Sequence, residues 1–356
     1  MRTRPLASML LIVAASASAC GGGTATTTST TVAATTTTTA TLPTSTTTTV
    51  GGGDTLVVPP AGEMADTWEE SLFVPYGEGD NALGTAPGGD AGSLDLGPEY
   101  GAQAADGTWW FLDAAKLRIA HFAEDGIFLG SVAVPEDVLV DGVYFQYQLP
   151  RVLDDGTVVA TGFGSGDTRV MLLRDGVVMG STVPREVGVR VDDGSLLYGS
   201  ALGDESATPV VVDVNAGTTS DTEWFLARNG DRFRVTSSRD QLRIEMPDGQ
   251  FDRTFELEAG EVGGRAFASI EAATGEDGSL HLFLIGLAED DESVQLAGYL
   301  KVGSDGTVSP VERVRNPFSP SDPGSPSHLG VRPGTSDPWL MFIDEDGVRV
   351  YTRVPA

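Results

Sequence analysis

The sequence predicts an all-β fold, and three of its features support this prediction. Short runs of Val, Leu, Ile, Phe and Trp recur along the chain, and Asp-Gly pairs separate many of them. After the first twenty residues, no apolar segment keeps the spacing of a helix. Apolar runs of about four to seven residues that are bounded by turn residues are typical of β-strands.

Asp-Gly pairs mark the predicted turns. Glycine adopts a positive φ without steric cost and aspartate tolerates it, so this pair favours a tight hairpin. The pairs lie at Asp106-Gly107, Asp125-Gly126, Asp155-Gly156, Asp175-Gly176, Asp193-Gly194, Asp248-Gly249, Asp277-Gly278, Asp305-Gly306 and Asp346-Gly347. Strands are predicted between them at residues 108–112, 157–161, 170–174, 195–198, 279–285 and 339–343, with a further strand at 68–74.

A unit of turns and strands recurs about every 40–50 residues, which favours a β-propeller over a sandwich or a barrel. The predicted units are residues 97–142, 143–186, 187–226, 227–262, 263–316 and 317–356. The last unit is one strand short, and residues 68–74 supply a strand that would complete it. Because a closed ring protects its edges, we expect a β-propeller of six blades. Each blade is expected to be a four-stranded antiparallel sheet, with the N-terminal strand closing the ring. Seven thinner blades would suit the same turns.

One stretch carries a more specific motif. It reads Trp109-Trp110-Phe111-Leu112-Asp113, then Arg118-Ile119, Phe122 and Asp125-Gly126, preceded by Tyr76-Gly77-Glu78-Gly79, Gly97-Pro98 and Asp106-Gly107. Over residues 76–130 this order resembles the NHL-type repeat of six-bladed β-propellers, although Leu117 stands where that family usually has Asn. The resemblance implies a propeller scaffold whose family members mostly bind partners. It transfers no catalytic residue, because propeller sites lie on variable loops.

The N-terminus predicts export. Arg2 and Arg4 form a charged start, residues 6–15 are almost entirely apolar, and small residues precede Cys20. This apolar run is shorter than the ~20 residues that span a bilayer. Residues 1–19 are therefore predicted to be a removable signal peptide.

Residues 17–20 read Ala-Ser-Ala-Cys and resemble a bacterial lipobox, although Ala17 stands where Leu is usual. The resemblance implies that Cys20, the only cysteine, is diacylated and becomes the mature N-terminus. We therefore expect a monomer that a lipid anchors to the outer face of the cell membrane. The alternative is cleavage after Ala19, which would leave a secreted protein with a free thiol at Cys20.

Residues 20–65 are predicted to be a tether. Most of them are Gly, Thr, Ala and Ser, and residues 24–49 are nearly a threonine tract. This composition lacks the large apolar groups that offset the backbone entropy of folding, so we expect disorder. In an extended conformation at ~3.1 Å per residue, about 40 residues reach roughly 120 Å. The folded domain is then predicted over residues 66–356.

The net charge disfavours some classes of partner. The chain has 22 Lys plus Arg against 51 Asp plus Glu, which gives a formal charge of −29 at pH 7. An acidic surface repels nucleic acids and anionic lipid headgroups, so no nucleic-acid partner is expected. Much of the acid excess lies in turn motifs, which we interpret as solvated turns. The single cysteine excludes a disulfide within the chain and a multi-cysteine zinc site.

No catalytic or metal-binding constellation is predicted, and we expect neither a metal nor a cofactor. His121, His281 and His328 stand alone in the sequence and are interpreted as strand or loop residues. Their gathering at a propeller axis is the alternative. Acidic residues within 289–292 and 344–347 offer oxygens for Ca²⁺ but lack the alternation of a calcium loop, so turn chemistry is favoured.

Three further features of the sequence bear on binding or catalysis. Residues 162–166, Gly-Phe-Gly-Ser-Gly, lack the helix and spacing of a phosphate loop or a nucleophile elbow and are predicted to be an inter-strand loop. Trp109 and Trp110 are predicted to face opposite sides of one strand, one packed between blades and the other in the core or in a sugar-stacking platform. The long loops 78–100 and 315–338 are expected to flank the closure blade and form one rim surface.

These observations favour a non-enzymatic binding or scaffold propeller that recognises a protein, peptide or glycan through its rim loops. The alternative is a metal-dependent propeller hydrolase or lyase of the lactonase type, with its site at the ring axis. The candidate metal ligands lack a diagnostic spacing, so the binding module is preferred and no catalytic residue is assigned.

Overall fold

A computed structural model describes residues 54–85, 101–135, 147–153, 156–163, 168–183, 188–192, 197–200, 210–213, 218–221, 224–226, 229, 231–238, 240–246, 251–289, 294–316 and 328–354. These residues contain 25 β-strands and one short 3-10 turn, Ala114–Lys116. Within them, no helix has the length and apolar character needed to cross a membrane. The all-β prediction is confirmed for this part of the chain.

Two strands precede the repeating units, β1 (Asp54–Val58) and β2 (Trp68–Pro75). The other described strands fall into six sheets, which we call blades A to F in chain order. Blade A contains β3 (Gly101–Gln103), β4 (Trp109–Asp113), β5 (Arg118–Phe122) and β6 (Phe128–Ala133). Blade B contains β7 (Tyr147–Val152), β8 (Val158–Phe163), β9 (Thr168–Arg174) and β10 (Val177–Val183). Blade C contains β11 (Gly188–Asp192), β12 (Leu197–Ser200), β13 (Val210–Asp213) and β14 (Thr218–Asp221).

The second half of the chain forms the other three sheets. Blade D contains β15 (Phe225–Leu226), β16 (Arg232–Ser238), β17 (Gln241–Met246) and β18 (Phe251–Ala259). Blade E contains β19 (Ala266–Thr274), β20 (Leu280–Ala288), β21 (Gln295–Val302) and β22 (Glu312–Arg313). Blade F contains β23 (His328–Val331), β24 (Pro338–Ile343) and β25 (Gly347–Arg353).

Each blade is an antiparallel meander whose strands pair in chain order. Each unit predicted from the recurring turns contains the strands of one sheet, except that β15 begins blade D at the end of the preceding unit. The innermost strands lie against one another in the order β3, β7, β11, β19, β23 and back to β3. The two-residue β15 is too short to separate β11 from β19, so blade D meets the ring through β16 and β18.

The N-terminal strand closes the ring as predicted. β2 pairs antiparallel with β25 as the outer strand of blade F, with Trp68 opposite Arg353 and Pro75 opposite Gly347. Because the two ends of the domain share one sheet, blade F is the closure blade. This arrangement pairs the edge that β25 would otherwise expose.

The structure corrects the predicted start of the domain. β1 is a fifth strand of blade D, where it pairs parallel with β18. Leu56 is 7% exposed and Val58 is fully buried, so this segment belongs to the core rather than to a disordered tether. The folded part therefore begins by Asp54, within the predicted tether 20–65.

Residues 54–75 form a strap across three blades. After β1, the chain runs along β21 of blade E, where the amide of Ala61 donates to the Gln295 carbonyl at 2.9 Å. The amide of Ala297 donates to the Pro59 carbonyl at 3.1 Å. The strap then enters blade F as β2. One continuous segment thus joins the outer edges of blades D, E and F.

Six of the predicted Asp-Gly turns are present among the described residues, whereas Gly347 begins β25 and the pairs at 193–194 and 248–249 lie outside the described residues. In five turns the glycine amide donates to the carbonyl three residues earlier at 2.8–3.1 Å, and the glycine has φ between 75° and 88°. These glycines are Gly107, Gly126, Gly156, Gly278 and Gly306. The pair Asp175-Gly176 instead forms a two-residue turn with φ of 52° and 73°.

The turn aspartates are engaged locally. Asp106, Asp125, Asp277 and Asp305 each accept a hydrogen bond from the backbone amide two residues later, at 2.9–3.2 Å. Such a side-chain bond stabilises the turn conformation. At these described turns, the acidic residues therefore have the structural role that the sequence indicated.

The hydrophobic core lies between neighbouring blades, because the sheets whose side chains are described bury residues on both faces. Ile119 of blade A packs in one cluster with Met171 of blade B. On the other face of blade A, Trp109 meets Trp339 of blade F edge to face, with ring centroids 5.2 Å apart. Alternation along the strands therefore supplies both interfaces of each blade.

Candidate functional site

The turns of the blades lie at two opposite ends of the domain. In a meander, the first–second and third–fourth connections share one end, and the second–third connection lies at the other. We call these the lower end and the upper end. The lower ends of blades E, F and A meet, because the Asp277 amide donates to the Ser336 hydroxyl at 3.0 Å and Arg332 donates to the Ala105 carbonyl at 3.4 Å.

At the upper end of the closure blade, the described ends of both long loops meet one turn. The turn lies between β24 and β25, at residues 344–346. The amide of Tyr76 donates to the Asp346 carbonyl at 2.9 Å, and Arg315 binds Asp344. Residues 86–100 and 317–327 lie outside the described residues. The predicted loop 315–338 is not continuous, since β23 lies within it.

Two arginines and the acidic turn form a charged ladder. Both terminal guanidinium nitrogens of Arg315 donate hydrogen bonds to the Asp344 carboxylate, at 3.1 and 2.5 Å. Arg349 binds the same carboxylate at 2.6 Å and binds Asp346 at 2.7 and 3.0 Å. Its Nε also lies 3.3 Å from Glu70 of β2. The ladder therefore ties β2, β25 and the chain that follows β22 to one turn.

Aromatic rings hold the two guanidinium groups in place. Arg315 lies 5.1 Å above the ring of Phe342, and Arg349 lies 4.2 Å above the ring of Phe73. The hydrogen bond from Arg349 lowers the pKa of Asp346. The same bond raises the pKa of Arg349 further. Asp346 and Arg349 are thus charged near neutral pH, and the hydrogen bonds and rings pre-organise the ladder.

A cleft of about 730 Å³ opens beside this ladder. Its wall includes Ala61 and Gly62 of the strap, Asn316 and the exposed Glu345, in addition to the ladder residues. The described lining offers guanidinium donors and carboxylate acceptors, and it contains no Ser, Cys, His or Lys that would act as a nucleophile. The cleft is suited to bind a polar group, and we take it as the candidate functional site.

The acidic segment 344–347 is not a calcium loop. Asp344 and Asp346 point their oxygens at arginines rather than at one common point. Among the described residues, no group of three or more His, Cys, Asp or Glu is placed to hold a metal ion. In the other acidic segment, residues 289–292, only Glu289 is described. Its backbone amide donates to the Arg265 carbonyl at 2.9 Å.

His281 is part of a buried chain of hydrogen bonds in blade E. Its Nδ1 lies 2.6 Å from the Tyr299 hydroxyl, and its Nε2 lies 2.9 Å from the Ser279 hydroxyl. Ser279 lies 2.5 Å from the Asp277 carboxylate, which can only accept, so the serine proton points to Asp277. His281 then donates from Nε2 and accepts from Tyr299 at Nδ1. The ring is a neutral tautomer with both nitrogens satisfied.

Burial explains the electrostatics of this chain. The imidazole is fully buried, and burial lowers the pKa of His281 from 6.5 to about 3. Burial raises the pKa of Tyr299. Partial burial opposes ionisation of Asp277, but hydrogen bonds from Ser279 and Ser336 outweigh it and lower its pKa. A serine between an aspartate and a histidine is the wrong order for a nucleophilic triad. This chain of hydrogen bonds therefore has a structural role, because it joins the turn at Asp277 to strands β20 and β21.

The other two histidines have different surroundings. His121 stacks on Trp110 with ring centroids 3.8 Å apart and an interplanar angle of 8°. Partial burial lowers the pKa of His121, and the nearby Asp106 carboxylate opposes part of this decrease. The backbone of His328 pairs with Met341, and its side chain lies outside the description. His121 and His281 lie in strands, as predicted, and the described residues do not bring them together.

The tryptophan pair faces both sides of β4, as predicted. Trp109 is 1% exposed in the packing between blades A and F. Trp110 is half-buried against the cluster between blades A and B. Because the imidazole of His121 covers one face of its indole, that face is not open for a sugar.

The residues that carry the NHL resemblance form a hydrogen-bonded cluster with a structural role. Asp113 is fully buried and accepts from Arg118 Nε at 2.9 Å and from the Gly84 amide at 3.1 Å. Arg118 and Lys116 both donate to the Ala82 carbonyl, at 2.6 and 2.8 Å. The motif therefore fastens the described start of the loop 78–100 to blade A.

Two sequence candidates lie partly or wholly outside the description. Gly162 and Phe163 are the last residues of β8 and pair with Arg169 and Thr168 of β9, so the predicted inter-strand loop 162–166 is wrong at these two residues. Residues 164–166 lie outside the described residues. Cys20, the predicted lipidation site, lies outside the described residues.

Sequence reasoning missed the arginines of the cleft. The sequence contained a local indication of the Arg349–Asp346 ion pair, because Arg349 follows Asp346 by three residues at the start of a strand. No local signal exists for Arg315, because its partner Asp344 lies 29 residues away and only the fold brings them together.

Fold and site together define a β-propeller with a polar cleft at its closure blade. The chain belongs to the family described as a domain of unknown function (DUF7485), whose family model matches residues 66–353. A comparison with curated proteins finds no match.

Solved structures that the chain resembles are propeller-like proteins. Virginiamycin B lyase from Staphylococcus aureus is 9% identical, with 81% of this chain and 100% of that chain covered and a TM-score of 0.43. The WD40 domain of Toxoplasma gondii coronin is 9% identical, with 85% and 90% covered and a TM-score of 0.42. A streptogramin B lyase is 11% identical, with 74% and 96% covered and a TM-score of 0.41. None of these similarities assigns an activity to this chain.

Proposed function

We propose that this protein is a binding propeller that lipid on Cys20 anchors to the outer face of the cell membrane. Its partner is a protein, peptide or glycan, and it docks at the upper end of the closure blade. The observation that carries the proposal is the polar cleft at the acidic turn of the closure blade, which Arg315 and Asn316 of one long loop line. Tyr76, just before the other long loop, donates its amide to the same turn at Asp346.

The direction of the strap supports this orientation. β18 is the fourth strand of its blade and runs from the lower end to the upper end. β1 is parallel to β18, so the chain that precedes Asp54 joins β1 from the lower side. The start of β1 therefore lies at the end of the domain opposite to the cleft.

The chemistry of the cleft supports binding rather than turnover. Arg315 and Arg349 are held rigidly by carboxylates and aromatic rings, which lowers the entropy lost when a ligand is bound. Glu345 is exposed at the same turn and provides a further acceptor. A pre-organised polar surface of this kind gives specificity without a reacting group.

The test compares the full chain with two matched variants in a cross-linking pull-down from the cell envelope. Glu345→Trp places a large ring at the cleft, and Glu69→Trp makes the same change on the exposed side of β2. We expect Glu345→Trp to lose the captured partner at least tenfold and Glu69→Trp to retain it. Equal capture by both variants would show that the cleft is not the docking site.

The anchor is tested in the same cells. A Cys20→Ser chain lacks the thiol that would be acylated, so we expect it to lose radiolabelled palmitate and to leave the membrane fraction. Membrane retention of Cys20→Ser at the wild-type level would contradict the lipid anchor.

A further inference from the structure

A second groove lies on the outer side of blade D and shares no lining residue with the polar cleft. It runs along β1 and has a volume of about 670 Å³. Grooves of roughly 300–1,000 Å³ accommodate small ligands and peptide segments. One side of the groove is the strap strand β1, and the opposite side is the segment 308–311 of blade E.

β1 presents an open backbone edge to this groove. Among the described strands it pairs only with β18 and is the last strand of its sheet. In an edge strand, the amide and carbonyl groups on the outer side have no strand to bond. Five residues at ~3.3 Å each give an edge of roughly 16 Å, which is enough for several backbone hydrogen bonds.

The wall that faces the edge is mostly apolar. Val308, Pro310 and Val311 line it, and Val57 of β1 is 51% exposed on the near side. Valine and proline side chains cannot hydrogen-bond a ligand, so they would select apolar side chains. The groove thus combines a polar backbone edge with an apolar wall.

Charge is confined to the two ends of the groove. Asp54 forms an ion pair with Arg253 at the start of β1, and Glu261 forms one with Arg313 beyond its end. The stretch between them is uncharged, in a chain with a formal charge of −29. An uncharged segment fits this groove, because a charged one would lose hydration without gaining a partner.

Two other described outer edges are blunted, whereas β10 of blade B has a regular register like that of β1. β6 contains a bulge near Gly130, and β2 contains a bulge and the charged Glu69 and Glu70. The edge of blade E already takes the strap, whose residues Pro59 and Ala61 bond to β21. Bulges and charges are common protection for edge strands, and β1 has a regular register without a bulge.

We propose that the β1 groove binds an extended, uncharged peptide segment of a partner protein, which adds as a further strand to blade D. Backbone hydrogen bonds to β1 supply affinity, and the wall at 308–311 selects β-branched or small apolar side chains. Strand addition to an exposed sheet edge is a general mode of peptide recognition. This site is separate from the cleft at the closure blade.

The experiment measures the fluorescence anisotropy of a labelled peptide, acetyl-Thr-Val-Thr-Val-Thr-Val-amide, with the purified full chain. We expect saturable binding, together with slower hydrogen exchange of the β1 amides. A peptide with Glu in place of Val, or with alternate amides N-methylated, should bind at least tenfold more weakly. Equal binding of the N-methylated peptide would rule out strand addition.

Matched variants locate the site. Val57→Asp places a charge in the groove and should weaken the Thr-Val peptide at least tenfold, whereas Val177→Asp makes the same change at a residue on β10 that is 56% exposed. Equal weakening by both variants, or none by Val57→Asp, would overturn the proposal. So would a dimer of the wild-type chain that Val57→Asp dissociates, because the occupant would then be a second copy.

The two proposals fail independently. Glu345→Trp should bind the Thr-Val peptide as the wild type does, since Glu345 lies at the closure blade. Loss of the envelope partner by Glu345→Trp with normal peptide binding supports both sites. Loss of peptide binding by Glu345→Trp would show that the groove is not the peptide site.

Discussion

At the scale of single residues, the NHL-like motif shows how one backbone conformation selects a residue type. Leu117 follows the 3-10 turn and has φ of 52°, in the left-handed region. Asn and Gly adopt this region at low cost, whereas other residues pay roughly 1–2 kcal/mol. Leu117 is therefore a strained residue.

Replacement of Leu117 by Asn or Gly is expected to stabilise the domain by about 1 kcal/mol. The side chain is 44% exposed, so little apolar burial is lost. Urea unfolding followed by tryptophan fluorescence would measure the change in the free energy of unfolding. Leu129→Asn is the control, since Leu129 is 52% exposed and has no positive φ. A gain of equal size at position 129 would contradict the explanation.

His281 predicts the pH dependence of stability. Its pKa is about 3 in the folded state against 6.5 for an ordinary histidine. Between these two values the unfolded chain binds a proton that the folded chain does not, so stability falls as pH falls from 6.5 towards 3. Above pH 6.5 this contribution is fully present.

Urea titrations between pH 7 and 4 test this dependence. The variant His281→Gln should lose stability less steeply with falling pH, because it has no imidazole to protonate. His121→Gln is the comparison, since His121 is less buried and should account for less of the slope. An unchanged slope in His281→Gln would show that the buried imidazole does not titrate on unfolding.

At the scale of structural elements, the strap decides where the domain begins. The family match starts at residue 66, yet β1 buries Leu56 and Val58 against blade D. Burial of a large aliphatic side chain contributes roughly 1.5–3 kcal/mol. The segment before residue 66 therefore belongs to the folded unit in energetic terms.

A chain that starts at residue 66 is expected to be less stable than one that starts at residue 54, by roughly 3–5 kcal/mol. The loss comes from the two buried side chains and from the bonds between the strap and β21. Guanidinium unfolding of both chains and of the full chain measures it. The full chain should match the chain from residue 54. Equal stability of the chains from 54 and 66 would show that the strap is dispensable.

At the scale of the whole molecule, closure joins the two ends of the domain in one blade. Trp68 of β2 lies edge to face with Tyr299 of blade E, with centroids 4.9 Å apart, and donates to Glu312 at 3.1 Å. The last strand, β25, is paired with β2 on one side and with β24 on the other. The described ends of the long loops come together at this blade, so closure of the ring also builds the cleft.

Much of this architecture was predictable because its causes are local. An Asp-Gly pair sets its own turn through the positive φ of glycine, and alternating apolar residues set their own strands. The closing strand was predictable because the last unit lacked one. The strand β1 was not predictable, because it is one short apolar run. Its pairing partner, the end of β18 from Phe255 onwards, is about 200 residues away in the chain.

The sequence by itself determined the strands, their turns, the blade meander and the motif that predicts export, since each depends on residues close together in the chain. Only the tertiary structure decided which charges meet. Arg315 and Arg349 share Asp344 because the blades bring three distant segments to one end. The β1 groove arises in the same way, from a strand and a wall that belong to different blades. Binding surfaces on a propeller depend on such long-range contacts, and for that reason the sequence predicted the scaffold better than the site.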